Sequence, residues 1–145
     1  MKFYHPRIKE IYPVYKLHKN LFRIGLQIGI TTEIKDDNNK MWNLVNILDG
    51  RPFQDILNIM LTKYDDLTEE DITGALELLD NEGVLEEAGE IQDIKERYHS
   101  NIYYFSRYLN SFQDSIATQK KIHQSTILLL GLGGGGSNIL TLLAG

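Results

Sequence analysis

Four polar residues, Asp36-Asp37-Asn38-Asn39, separate two stretches of this sequence whose hydrophobic periods cannot belong to the same kind of element. Before them, from Ile11 to Ile34, β-branched and aromatic residues alternate at short period, as in Tyr15/Leu17, Phe22/Ile24/Leu26 and Ile28/Ile30/Thr32/Ile34. Successive side chains of an extended chain point to opposite faces, so the pattern predicts up to three short antiparallel strands. Lys19-Asn20 supplies the first turn because Asn tolerates positive φ, and Gly25 and Gly29 imply twist or a bulge near the second. Beyond the polar run the period is helical. Met41, Leu44, Val45 and Leu48 form one stripe ended by Asp49-Gly50, and Pro52 stands where a second helix begins, ahead of Phe53, Ile56, Leu57, Met60 and Leu61.

The third helix is the best punctuated. Thr68 with Asp71 three residues later has the form of a capping box, Leu67 and Ile72 occupy hydrophobic-staple positions, and Gly83 follows the last turn as a stop. Ile72, Ala75, Leu76 and Leu79 face the core, while Leu78 lies off that stripe and either widens it or offers an apolar contact. Val84-Leu85 reads as a short strand or wing before Ala88-Gly89. Residues 1–89 are therefore expected to form an α+β, winged-helix-like unit of three antiparallel strands and three helices.

Residues 90–125 read as a helical connector, with Ile91, Ile94, Tyr98, Ile102, Phe105, Leu109 and Phe112 at three- and four-residue intervals on one apolar face that needs cover. Residues 126–145 then carry a buried-strand pattern, Thr126 to Leu130, a glycine run from Gly131 to Gly136, Ser137, and a helical start from Asn138 to Ala144. Strand, glycines and helix in that order are the start of a Rossmann-like β-loop-α unit, whose turn cradles phosphate on backbone N–H groups. Gly131, Gly133 and Gly136 have the spacing of that turn, but the acidic ribose partner expected about 20 residues later would fall beyond Gly145. A lone apolar strand leaves edges and faces uncovered, so this end is expected to continue in a longer chain or to bury itself against another copy, and the protein is expected to self-associate.

With 145 residues there is room for one small domain and part of a second. The sequence has no cysteine, and His5, His18, His99 and His123 are scattered, so no metal site is expected. The start has no apolar core of signal-peptide length, and Ile127 to Leu130 is far too short to cross a bilayer, which makes a cytoplasmic protein without a membrane partner the expectation. The net charge of −5 is uneven: Lys2, Arg7, Lys9, Lys16, Lys19 and Arg23 crowd the front, whereas Tyr64 to Glu90 contains no Lys or Arg. The third helix, which would enter a DNA groove in a winged-helix protein, carries Glu69, Glu70, Asp71, Glu77, Asp80 and Glu82, which phosphates repel. No nucleic-acid partner is expected.

Arg97-Tyr98-His99-Ser100-Asn101, the downstream Gln119 and the loop Gly131-Leu132-Gly133-Gly134-Gly135-Gly136-Ser137 resemble the opening of the ThiF/MoeB ubiquitin-activating-like family. That resemblance implies an ATP site built by Arg97, Asn101, Gly131, Gly133, Gly134 and Gly136, in which a protein or peptide C-terminus is adenylated. Ser100 stands where the family carries a second arginine toward the phosphates, and a hydroxyl replaces neither its charge nor its bidentate contact. ATP and magnesium are thus expected only if a longer parent adenylates, and no cofactor is expected for these residues alone.

The front unit resembles the PqqD-like recognition element of ribosomal peptide biosynthesis, on the residues Leu48-Asp49-Gly50, Leu79 and Asn81-Glu82-Gly83-Val84-Leu85. The resemblance implies that a leader peptide adds as a strand beside the third strand and packs on the third helix. Thr31, Thr32, Glu33 and Ile34 are then the edge, with Ala75, Leu78 and Glu82 on the helix. A recognition element ahead of a ThiF-like start is similar to the ThiF-like partner proteins of thiazole/oxazole-modified microcin pathways and to peptide-adenylating microcin enzymes. Two functions follow from the resemblance: a receptor that presents a precursor's leader to a YcaO-type cyclodehydratase in bacteriocin maturation, or the N-terminal piece of an ATP-dependent adenylating enzyme. These residues alone are not expected to be enzymatic, whereas a longer parent would be either an adenylating-type enzyme or a catalytically inactive relative. Trp42, Tyr103, Tyr104, Phe105 and Tyr108 read as packing, His99 as a solvated helix residue, and Asp65 to Asp71 as a solvated helix start without calcium-loop spacing.

Overall fold

The computed structural model describes residues 3–27 and 30–144. Five strands and six helices run in the order β1 (Pro6–Ile8), β2 (Val14–His18), β3 (Leu21–Gln27), β4 (Ile30–Lys35), α1 (Lys40–Ile47), α2 (Phe53–Lys63), α3 (Glu69–Asn81), β5 (Leu85–Glu87), α4 (His99–Ser106), α5 (Phe112–His123) and α6 (Gly134–Ala144). The fold is α+β, as the alternation of periods implies.

The expected antiparallel meander is present, with strand order β2-β3-β4. Phe22 pairs with Ile34 and Ile24 with Thr32, so the even-numbered residues of β3 and β4 share one face. That face is the buried one: Phe22 and Ile24 are almost wholly enclosed, and Ile34 packs against the same cluster. The register slips between Ile24 and Gln27, near Gly25, which adopts φ +95°. Ile28 and Gly29, which complete the expected second turn, lie outside the described residues.

Helices α1, α2 and α3 close over this face. Asp36, buried at the end of β4, accepts a hydrogen bond from the Trp42 N–H at 2.8 Å and so satisfies a donor at the start of α1. The capping box of α3 forms as expected: Thr68 Oγ1 accepts from the Asp71 N–H at 3.2 Å, while Asp71 Oδ2 accepts from the Thr68 N–H at 2.9 Å. Its other end closes at Gly83, whose φ of +72° is cheap only for glycine and lets the Val84 N–H reach the Leu79 carbonyl at 3.1 Å.

β1 is an addition that the sequence pattern does not signal, being three residues long and headed by Pro6. It pairs with β5 in a separate two-stranded sheet, Arg7 opposite Glu86. Glu86 is fully buried and accepts from Arg7 Nη2 at 2.8 Å and Nε at 3.2 Å, while the same guanidinium lies 4.6 Å from the centre of the Phe112 ring. One arginine thereby ties the front unit to α5. Burial pushes the Glu86 carboxyl above the usual range, with Arg7 opposing, and Glu86 Oε2 has no hydrogen-bond partner among the described residues.

Two expectations are corrected in the second half. The apolar run from Ile91 to Phe112 is not one long helix. Ile91 and Ile94 lie ahead of a 3-10 turn at Glu96–Tyr98, α4 ends at Ser106, and Phe112 opens a new helix behind Ser111, whose side chain accepts from the Asp114 N–H. The local cap wins over the continuous period, and the chain folds back so that Ile102, Phe112 and Ile116 bury one another with Ile91, Ile94 and Tyr103 around them. The apolar face is thus covered largely from within, Phe105 and Leu109 being half-buried.

The second correction concerns the end of the chain: Thr126 to Leu130 forms no ladder, and α6 begins at Gly134 rather than Asn138. A strand exists only by pairing, and none of the described residues offers this segment a neighbour.

Candidate functional site

β4 is the outermost strand of its sheet, and among the described residues no strand pairs with its far side. An unpaired strand edge presents a row of N–H and C=O groups ready for another chain. Of the four edge candidates, Thr32 and Ile34 turn toward the helices, as their pairing with Ile24 and Phe22 requires. Glu33 lies on the opposite face, where its carboxylate accepts from Arg23 Nε at 3.0 Å across the sheet. Thr31 shares that opposite face by alternation.

The edge and the helix candidates are brought together by one contact: Thr32 Oγ1 donates to Glu82 Oε2 at 3.1 Å. On α3, positions 71, 75, 78 and 82 follow the three- and four-residue steps of a single stripe. Ala75 is half-buried on it and Leu78 is 49% exposed. The Leu79 side chain beside it is fully enclosed, so the core stripe and the outward stripe of α3 are distinct.

At the other end of β4 lies a pocket of about 200 Å³, lined by Asp36, Lys40, Met41, Leu44, Met60, Leu67, Asp71, Ile72 and Ala75. Its walls are largely apolar and its rim is charged. Lys40 Nζ donates to Asp66 Oδ2 at 2.6 Å, and this contact holds the Asp66 carboxyl below the usual range. Asp71 is held below it by the hydroxyl and N–H of Thr68. Since Thr32 meets the C-terminal end of α3 and Asp36 meets the pocket beside its first half, β4 and α3 run in opposite directions along one groove. Met41, Leu44, Met60 and Ile72 read in sequence as ordinary core residues. Only the meeting of α1, α2 and α3 at the end of β4 makes them a pocket wall.

The nucleotide-type candidates are arranged differently. Gly131 has φ +93°, and a Cβ at Gly136 would sit 2.1 Å from the Gly131 carbonyl oxygen. The turn is therefore as tight as the glycine spacing demands, with Ser137 closing it by a hydrogen bond from its N–H to the Gly133 carbonyl at 2.9 Å and from its hydroxyl to Leu132 O at 2.8 Å. Gly133 and Gly134 are exposed. Arg97 stacks over Tyr98 at 4.7 Å, and Asn101 is exposed in the first turn of α4. Ser100 lines a separate open pocket with Glu10, Ile11, Tyr103 and Tyr104. Gln119 is buried against His123, and its side-chain oxygen has no hydrogen-bond partner among the described residues. Among the described residues no three His, Asp or Glu side chains gather as a metal ion would need, and no helix is long and apolar enough to cross a membrane.

No family model and no curated protein matches the chain. Its fold, however, is similar to part of solved structures of E. coli MccB. The MccB crystal structure with succinimide superposes at a TM-score of 0.68 with 14% identity, over 97% of this chain and 39% of that one. The complex with ATP gives 0.67 and 14%, over 97% and 40%. The complex with AMPCPP and selenomethionine MccA gives 0.66 and 15%, over 97% and 39%. The chain thus spans about two fifths of the length of the MccB structures it matches. At this identity the likeness is one of fold.

Proposed function

We propose that the front of this chain is a peptide receptor that takes the leader of a ribosomally made precursor as an added strand on β4 and presents the rest of that precursor to a modifying enzyme. The observation that carries this reading is the groove itself: an open strand edge, bridged to α3 by Thr32 and Glu82 at one end and opening into an apolar pocket at the other. Main-chain pairing supplies affinity that tolerates many sequences, and a side-chain pocket beside it supplies selection. A YcaO-type cyclodehydratase is the modifying partner that the domain order suggests. The fold shared with MccB, which has been solved with MccA, is consistent with a peptide-handling role.

An N-terminal piece of an ATP-dependent adenylating enzyme is the second reading. It is favoured by the tight glycine turn and by a fold shared with a protein solved with ATP. Ser100 weighs against it.

Fluorescence polarisation of a labelled precursor leader encoded near this protein tests the first reading. Thr32→Pro removes a backbone donor and distorts the edge, and Leu78→Asp places a charge on the outward stripe. Both should weaken binding at least about tenfold while circular dichroism remains that of the folded protein. Undiminished binding by both folded variants would put the peptide elsewhere.

A further inference from the structure

Resting on the assignment of β4 as the receiving edge, we infer that the groove selects a cationic peptide of one polarity: an apolar residue followed, four positions toward the C-terminus, by Lys or Arg.

The two ends of the groove differ in chemistry. At one end is the pocket of about 200 Å³ with Met41, Leu44, Met60 and Ile72 in its wall. An apolar cavity of about 150 Å³ accepts benzene, so this one has room for a single Leu, Ile, Met or Phe side chain. At the other end is Glu82, an exposed carboxylate at the C-cap of α3. Three features make that end attractive to a cation. The helix dipole is negative there, the last turn of α3 contains no basic residue, and the sequence from Tyr64 to Glu90 contains no Lys or Arg. At the pocket end, by contrast, a cation is already in place: Lys40 lines the pocket together with Asp36 and Asp71 and is paired with Asp66. Cation recognition is concentrated at Glu82.

The separation and order of the two subsites follow from β4. Thr32 marks the Glu82 end and Asp36 the pocket end, four residues on, or about 13 Å of extended chain. A strand added antiparallel to β4 runs from the pocket toward Glu82. Side chains four apart in a strand lie on one face, so a residue seated in the pocket has its fourth neighbour toward the C-terminus beside Glu82. Glu82 then exchanges the Thr32 hydroxyl for an ammonium or guanidinium group, a stronger charge-assisted partner.

The test uses the 145-residue chain and fluorescein-labelled peptides of about nine residues on a Thr/Ser background, carrying Leu-x-x-x-Lys, Leu-x-x-x-Glu, Lys-x-x-x-Leu or Ala-x-x-x-Lys. Leu-x-x-x-Lys should bind about fivefold or more tighter than each of the others at low salt, as expected for a partly exposed pair, and the gap over Leu-x-x-x-Glu should shrink as salt is raised. Glu82→Gln should bring Lys and Glu peptides within about twofold of each other. Equal binding of Leu-x-x-x-Lys and Leu-x-x-x-Glu by the unaltered chain overturns the cation preference, and equal binding of the reversed peptide overturns the polarity. If Thr32→Pro abolishes binding in either case, β4 remains the receiving edge. Binding of none of the peptides, or binding indifferent to Thr32→Pro, overturns both the selectivity and the edge.

Discussion

The front unit and the tail of this chain use apolar residues in similar local patterns and meet opposite fates. In β3, Phe22 and Ile24 are almost wholly enclosed because β2 and β4 pair on either side and three helices close over one face. In the tail, Ile127, Leu128 and Leu130 are 61%, 81% and 86% exposed and form no ladder. Leu142 and Leu143 of α6 are likewise exposed. The difference lies in the availability of partners. A helix satisfies its own backbone, so α6 forms, whereas a strand needs a neighbour and the segment before α6 has none within the described residues.

The contrast is sharpest where substitutions should register in stability. Leu79→Ala empties part of the enclosed core and should cost about 2–5 kcal/mol in a denaturant titration. A loss below 1 kcal/mol would show that the front unit is packed no better than the tail.

The next effect is at the α3 cap. Thr68→Ala should lower stability by about 1 kcal/mol. Thr68 holds the Asp71 carboxyl below the usual range, so this contribution is present above the ordinary carboxylate pKa and is lost as the pH falls through the lowered value. The variant should therefore lose less stability than the unaltered chain on acidification through that window, as read by thermal melts across the pH series. Identical acid profiles would show that the Thr68–Asp71 cap contributes no pH-dependent stability.

Glu86 should act in the opposite direction and more weakly. Its carboxyl is raised by burial, so its stabilising contribution is complete below the ordinary carboxylate range and is lost as the pH rises through the raised value. Glu86→Gln keeps an acceptor for Arg7 and should flatten that decline without loss of fold at neutral pH. A steeper decline in the variant would mean that the ion pair outweighs the desolvation.

The smallest effect on stability belongs to the tail. Changing Leu128 and Leu130 together to Asp should move the unfolding free energy by no more than about 0.5 kcal/mol. It should also shift light scattering from associated species to monomer, because wet apolar patches of this kind seek cover. A destabilisation comparable to that of Leu79→Ala would erase the distinction between the two regions.

What could be read from the sequence follows the same division. The meander, the three helices and the α3 capping box are set by residues close in sequence: alternation, three- and four-residue stripes, and Thr68 with Asp71. The α+β class and the tight turn at Gly131 to Gly136 were legible for the same reason. β1 was not, because three residues headed by Pro6 carry no period and acquire meaning only opposite β5. The break between α4 and α5 is hidden by an apolar spacing that continues across it, and the cap at Ser111 is the local signal that marks it. In the candidate groove, Thr32, Ala75, Leu78 and Glu82 could be named from pattern and resemblance. The pocket could not, since Met41, Leu44, Met60 and Ile72 come from three helices and are indistinguishable from core until those helices meet.

Amide hydrogen exchange with and without saturating Leu-x-x-x-Lys peptide reads the backbone of both edges of the same sheet and so shows which of them receives the peptide. A peptide added as a strand should slow exchange within Thr31 to Ile34 and leave Val14 to His18 on the opposite edge unchanged. Protection confined to Val14 to His18, or a bound peptide that leaves Thr31 to Ile34 exchanging at the free rate, would contradict the assignment of β4 as the receiving edge.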